Sequence, residues 1–238
     1  MNAKVKEIAK MIDHSILNPV YTDSDLEREC KIALENDVAS VCVKPYAVKQ
    51  AVGILKGSDV SVGCVIGFPA GNSAIAVKDF ETEQACKDGS VEIDMVINIG
   101  KALQGDWEYV EEEIKQVVDM SHKYKAITKV IFETDYVTNE NDKIKLCEIC
   151  TKVGADFVKT STGYGFVKGN DGKFSYTGAT AHDIALMRKH SGPNVQVKAS
   201  GGVRTLSELL KLKDLGITRC GATATAAMIA DAKKMFGE

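Results

Sequence analysis

Three charged residues interrupt runs that otherwise have the composition of buried strands: Asp94 in VEIDMVIN, Lys159 in DFVKTSTGYG and Lys198 in VQVKASGG. Burying an unpaired charge costs several kcal/mol, so each needs a partner or a task. Any one of them could be a structural charge paired with its neighbour, and Lys159 taken alone is a nucleophile, a phosphate clamp or a solvated charge at a strand end. Together they supply the parts of imine chemistry. An amine attacks a carbonyl only when neutral, and a free lysine near pKa 10.4 is protonated at pH 7. A second ammonium and partial desolvation both lower that pKa, and a nearby carboxylate can shuttle protons. Spacing does not decide which lysine attacks.

A second group of residues suits an anion. ASGGVR places Gly201 and Gly202 after the Lys198 strand, and CGATAT places Gly221, Ala222 and Thr223 after the next strand, opening the last helix. Missing side chains let backbone amides approach a phosphate, with the helix N-terminus adding its dipole; tight turns are the plainer explanation of the same glycines. Ser15, in IDHSIL, can offer a hydroxyl to the same cavity or simply cap a turn. His14, His122, His182 and His190 have no HxH or HExxH spacing, so no metal site is expected. Cys147 and Cys150, in KLCEICTK, fit one buried face of a helix, and Cys42 fits a strand core.

These residues need elements to hold them. Short β-branched runs alternate with amphipathic segments from end to end, the pattern of repeated βα units on a parallel sheet. After a leading helix near residues 2 to 10, strands are expected at 11–17, 38–44, 60–68, 91–98, 127–133, 155–160, 195–200 and 217–221. Eight such units predict a single (βα)8 barrel over residues 1–238, with an extra N-terminal helix. The absence of a GxGxxG after the first strand argues against an open doubly wound sheet. Thr22 with Asp25, and Thr205 with Glu208, have capping-box spacing. One long helix is expected over 102–125, with Val110, Ile114, Val117 and Val118 on its buried stripe. The connection at 161–178 is too long for an ordinary βα loop, and GNDGK between FVK and FSY predicts a small hairpin turning at 170–172. In a barrel, the C-terminal strand ends and the loops after them form the active site, where Asp94, Lys159 and Lys198 would meet.

Composition narrows the function. With 45% hydrophobic and 26% charged residues the chain is an ordinary globular one, and 30 basic against 33 acidic residues, dispersed along it, give no polyanion-binding face. Nucleic acid is therefore not an expected partner. No run approaches the roughly 18 apolar residues of a membrane span, and the N-terminus lacks the apolar core of a secretory leader. Seven cysteines without framework spacing suit a reducing cytosol.

The motifs IDHSIL, EIDMVIN, FVKTSTG and VKASGGVR, spread over nearly the whole chain, resemble the deoxyribose-phosphate aldolases, class I aldolases with a (βα)8 fold. The resemblance implies reversible cleavage of 2-deoxy-D-ribose 5-phosphate to D-glyceraldehyde 3-phosphate and acetaldehyde, without metal or organic cofactor. It makes Lys159 the Schiff-base lysine, with Asp94 and Lys198 as the proton-transfer pair. Gly163, Gly201, Gly202 and the turn at 221–223 would bind phosphate. Three departures stand out. Thr223 and Ala224 replace the usual serines, the 165–177 loop is long, and the chain ends AKKMFGE without a C-terminal tyrosine that some members use in proton transfer, leaving that step to solvent or Ser15. Assembly as a homo-oligomer, dimer or tetramer, is expected. The alternatives are another phosphate-binding barrel enzyme, such as a different class I aldolase or an isomerase, and a non-catalytic sugar-phosphate-binding barrel.

Overall fold

The computed structural model describes residues 2–237. Helix α1 (Ala3–Ala9) leads into strand β1 (Ile12–Ile16), followed by α2 (Asp23–Glu35), β2 (Ser40–Val43), α3 (Val48–Leu55), β3 (Ser61–Ile66), α4 (Ile75–Lys87) and β4 (Glu92–Val96). Helices α5 (Ile99–Leu103) and α6 (Trp107–Lys123) precede β5 (Ile127–Ile131), α7 (Glu140–Val153) and β6 (Phe157–Lys159). A hairpin of β7 (Val167–Lys168) and β8 (Phe174–Ser175) then intervenes before α8 (Ala181–His190), β9 (Gln196–Ser200), α9 (Leu206–Asp214), β10 (Arg219–Ala222) and α10 (Thr225–Phe236).

Among the described residues, eight strands close in the order β1-β10-β9-β6-β5-β4-β3-β2, every pair parallel. The (βα)8 barrel and its leading helix are as the alternation of elements predicts. Side chains alternate across each strand. Ile93, Met95, Val130, Val158, Val197 and Ala199 join the apolar layer beneath the helices. The residues between them face the barrel axis, and there the polar groups collect. Val110, Ile114, Val117 and Val118 are buried in that outer layer as the helical stripe requires.

Local signals explain most boundaries. Both capping boxes form, at Thr22 with Asp25 and at Thr205 with Glu208. The hairpin pairs Val167 with Ser175 and Lys168 with Phe174, turning where GNDGK predicts. The single helix expected over 102–125 is instead two. Gly105 takes a φ of +77°, and Asp106 accepts a hydrogen bond from the Tyr109 amide, so α5 stops and a new helix is capped. The last helix also starts later than expected: Gly221 and Ala222 end β10, Thr223 is in the loop, and α10 opens at Thr225.

Candidate active site

Inside the barrel a charged layer is set by register. Lys159 on β6 lies opposite Lys198 on β9, Asp94 on β4 opposite Lys129 on β5, and Lys198 opposite Arg219 on β10. Asp94 Oδ2 accepts from both amines, 2.7 Å from Lys159 Nζ and 2.7 Å from Lys198 Nζ. Its other oxygen lies 2.9 Å from Lys129 Nζ. Lys198 Nζ also stands 2.5 Å from Asp13 Oδ2, and Lys129 Nζ 3.3 Å from the same oxygen. These last two are ion-pair contacts whose angles are poor for hydrogen bonds. Arg219 bridges Asp13 and Glu92, and Ser40 donates to Asp13 at 2.8 Å. All three predicted residues are thus brought together: Asp94 and Lys198 are 0% exposed and Lys159 2%.

The electrostatics separate the two lysines. Burial lowers the Lys159 pKa from its ordinary 10.5, Asp94 opposes this, and the neighbouring Lys198 charge lowers it further; the net shift is down. Burial acts on Lys198 in the same sense, but Asp13 and Asp94 outweigh it and the net shift is up. For Asp94, burial alone would raise the carboxyl, yet Lys129, Lys159 and Lys198 together hold it well below the carboxylate range. The partners differ because Asp94 faces three cations, whereas Lys159 faces one carboxylate. Among the described residues the layer holds three carboxylates (Asp13, Glu92, Asp94) and four cations (Lys129, Lys159, Lys198, Arg219). Its charge balances when Lys159 is neutral.

One inward position further along the strands, Ser15 follows Asp13, Ser161 follows Lys159, Ser200 follows Lys198 and Gly221 follows Arg219. Ser15, Ser200 and Gly221 line a cavity of about 210 Å³ above the charged layer, with Gly163, Gly201, Gly202 and Thr223 around it. Every residue expected to contact phosphate therefore borders one space. Glycine is required there by contact as well as by conformation. A Cβ on Gly221 would stand 2.9 Å from Ser200 Oγ. Gly201 and Gly163 have φ of +83°, and a Cβ on Gly201 would meet the Gly178 and Gly163 backbones at 3.1 and 3.6 Å. Thr162, Tyr164, Tyr176, Val203, Arg204 and Ala222 complete the lining.

Several participants escaped the sequence reading. Asp13, Glu92, Lys129 and Arg219 sit on strands where alternation points them to the axis, a signal that Glu92 two residues before Asp94 and the lone charge of ITKVI already carried; strand pairing adds which partners they meet. Glu133, just beyond β5, is 1% exposed and adopts a φ of +55°. It accepts from the Thr162 hydroxyl and from the Thr162 amide at 3.2 Å, and so fixes the loop that carries Gly163. Burial raises its pKa, against the Thr162 bonds. His14 takes no place in the site. It faces outward to Thr225 Oγ1 at 2.7 Å and Glu29 Oε2 at 3.0 Å. Cys42 does face inward, with Sγ 4.0 Å from Asp94 Oδ2, and burial with the Asp94 charge pushes its thiol up to about 11. Cys147 and Cys150 are buried on α7, as a helix face requires.

Residues 7–225 match the DeoC/LacD family of aldolases. A deoxyribose-phosphate aldolase from Rhodopirellula baltica is 47% identical over 231 residues, covering 97% of this chain and 91% of that protein. One from Clostridium perfringens (strain SM101) is 50% identical over 223 residues, 94% of each. The solved structure of an aldolase called QR15 superposes with a TM-score of 0.87 at 32% identity, over 98% of this chain and 99% of that one. With a matching family spanning most of its length and an amine pair bridged by one buried carboxylate, the chain belongs to the DeoC/LacD family of aldolases.

Proposed function

We propose that the protein is a class I aldolase that reversibly cleaves 2-deoxy-D-ribose 5-phosphate to D-glyceraldehyde 3-phosphate and acetaldehyde. The observation that carries this is Asp94 Oδ2, 2.7 Å from two buried amines whose pKa values are pushed in opposite directions. Paired groups with diverging pKa values mark a division of labour between nucleophile and acid. Lys159 is the amine whose pKa is lowered, so its Nζ is the one that attacks C1 of the open-chain sugar, and loss of water gives an iminium.

The product acetaldehyde contains C1 and C2, so the bond that breaks is C2–C3. Its electron pair moves toward the iminium nitrogen, leaving an enamine on Lys159, while the C3 hydroxyl gives up its proton and C3 becomes the carbonyl of glyceraldehyde 3-phosphate. Protonation of the enamine at C2 and addition of water release acetaldehyde and the free amine. Asp94 is too weak a base to keep a proton at rest, so it passes protons on, and Lys198 is where a proton is held. The phosphate sits in the glycine-lined cavity, which sets the sugar's length against the distance to Lys159.

The reading includes a homo-oligomer, dimer or tetramer, supported by apolar Val77 and Phe80 standing 54% and 67% exposed on one side of α4. It also includes a cytosolic location, in keeping with seven cysteines that are all free thiols. Among the described residues no helix is long and apolar enough to cross a membrane.

Borohydride reduction in the presence of acetaldehyde tests the chemistry. A two-carbon adduct on Lys159 that disappears in Lys159→Ala is the expected result. Equal labelling of the two proteins rules out the assigned nucleophile, and a coupled assay showing no aldehyde release from deoxyribose 5-phosphate rules out the substrate.

A further inference from the structure

The phosphate cavity has an unusual rim. Of the side chains that line it, Arg204 is the cation among the described residues, and the remaining donors are hydroxyls and amides from the ends of β1, β9 and β10 and from the loops after β6, β9 and β10. Tyr176 is the exception in origin: it comes from the return stem of the β7–β8 hairpin. We propose that Tyr176 is a specificity-determining residue, donating its phenolic hydroxyl to the substrate's phosphate beside Arg204. This rests on the proposed function and adds to it a determinant supplied by the long loop.

The chemistry of the pair directs the hydroxyl. Tyr176 Oη lies 3.5 Å from Arg204 Nη2, the outer limit of a hydrogen bond. A guanidinium has five donors and no acceptor, so in this contact the phenol oxygen can only accept. Its own proton is left for another acceptor, and a phosphate oxygen drawn in by Arg204 is the acceptor this cavity is built to receive.

The hairpin holds the ring in place. Asp135 accepts from the Thr177 amide at 2.5 Å and from the Gly178 amide at 3.0 Å, and the Ala179 amide donates to Gly201 O at 3.0 Å. Gly178 has a φ of +71°, and a Cβ there would lie 2.4 Å from Gly201 O, so the stem packs backbone to backbone on the phosphate loop. On the other side the Tyr176 ring meets Phe166 edge to face, with centroids 5.6 Å apart. Tyr136 Oη in turn donates to Phe166 O at 3.2 Å. The phenol is therefore preorganised, and a phosphate that takes its proton orders little that is not already ordered.

The test compares kcat/KM for 2-deoxyribose 5-phosphate and for unphosphorylated 2-deoxyribose in the parent and in Tyr176→Phe, which keeps the ring against Phe166 and removes only the hydroxyl. The preference for the phosphorylated sugar falls about tenfold in the variant, as expected for one hydrogen bond to a charged group. A purely structural role for Tyr176 lowers both rates together and leaves the preference unchanged. A preference within twofold of the parent's overturns the proposal while the aldolase reading stands. A parent that cleaves neither sugar overturns that reading and the proposal with it.

Discussion

Asp94 connects two lysines through a single oxygen, so its removal separates steps that other substitutions merge. In Asp94→Asn the carboxylate that raises the Lys159 pKa is gone, and the amine is then still more readily neutral. Imine trapping on Lys159 persists, though slowly, while kcat falls roughly 10²- to 10⁴-fold for want of proton transfer. Mass spectrometry of the trapped adduct beside a turnover assay reads both quantities. Loss of trapping and turnover to the same degree would assign Asp94 to imine formation itself. The pH profile carries the complementary information. Trapping in the parent rises with pH through a midpoint below 10.5, because burial and the Lys198 charge both favour neutral Lys159. Lys198→Met removes that like charge, so the midpoint moves up.

Elements hold these residues by contacts remote from the cavity. On α4, Lys78 is 0% exposed, and its Nζ donates to Gly71 O and Val96 O at 2.7 Å each and pairs with Glu113 of α6. Glu113 in turn accepts from the Asn98 amide at 2.7 Å. The pair thus ties two helices to the loop after β3 and to the C-terminal end of β4, the strand bearing Asp94. Gly71 is required there, since a Cβ would lie 1.9 Å from Ile97 O. Lys78→Met leaves Glu113 buried without its cation and lowers the unfolding free energy by about 3–5 kcal/mol in urea titration. Lys78→Met with Glu113→Leu restores most of that loss, because the unpaired charge is the main cost. A double variant no more stable than the single one would show that the backbone contacts of Lys78 matter more than the pair.

At the scale of the whole molecule, acid stability depends on a group outside the site. Burial lowers the His14 pKa below 6.5, against the opposing effect of Glu29, so the folded protein holds this ring neutral between β1, α2 and α10. Between the lowered folded value and 6.5 the unfolded chain binds a proton that the folded protein does not. Stability therefore falls as pH drops from 6.5 through that window. In His14→Gln the slope of unfolding free energy against pH flattens there, whatever the variant's absolute stability. An unchanged slope between pH 5 and pH 6.5 would mean that other groups set it.

The barrel and three of its site residues were legible because they rest on local periodicities. Charges within apolar strand runs mark Asp94, Lys159 and Lys198, and glycines after consecutive strands mark the cavity beside them; Lys129 in ITKVIFE carries the same mark. The capping boxes at Thr22 and Thr205 involve residues three apart, which is why they could be read directly. The break at Gly105 was missed because the apolar pattern remains helical on both sides, and what divides it is the positive φ of Gly105 with the cap that Asp106 supplies. Sequence alone thus determined the alternation of elements, the three charged residues that the barrel brings together and the glycines that border the cavity, all carried by neighbours along the chain. Tertiary structure decided that the two lysine pKa values are pushed apart, down for Lys159 and up for Lys198. That depends on how many opposite charges surround each amine, and the ring of Asp13, Glu92, Lys129 and Arg219 forms only when strands up to some two hundred residues apart are brought into register. It likewise decided that the hairpin returns Tyr176 to the cavity, because the clamp of Asp135 and the close approach of Gly178 to Gly201 have no trace in the spacing of the residues that make them.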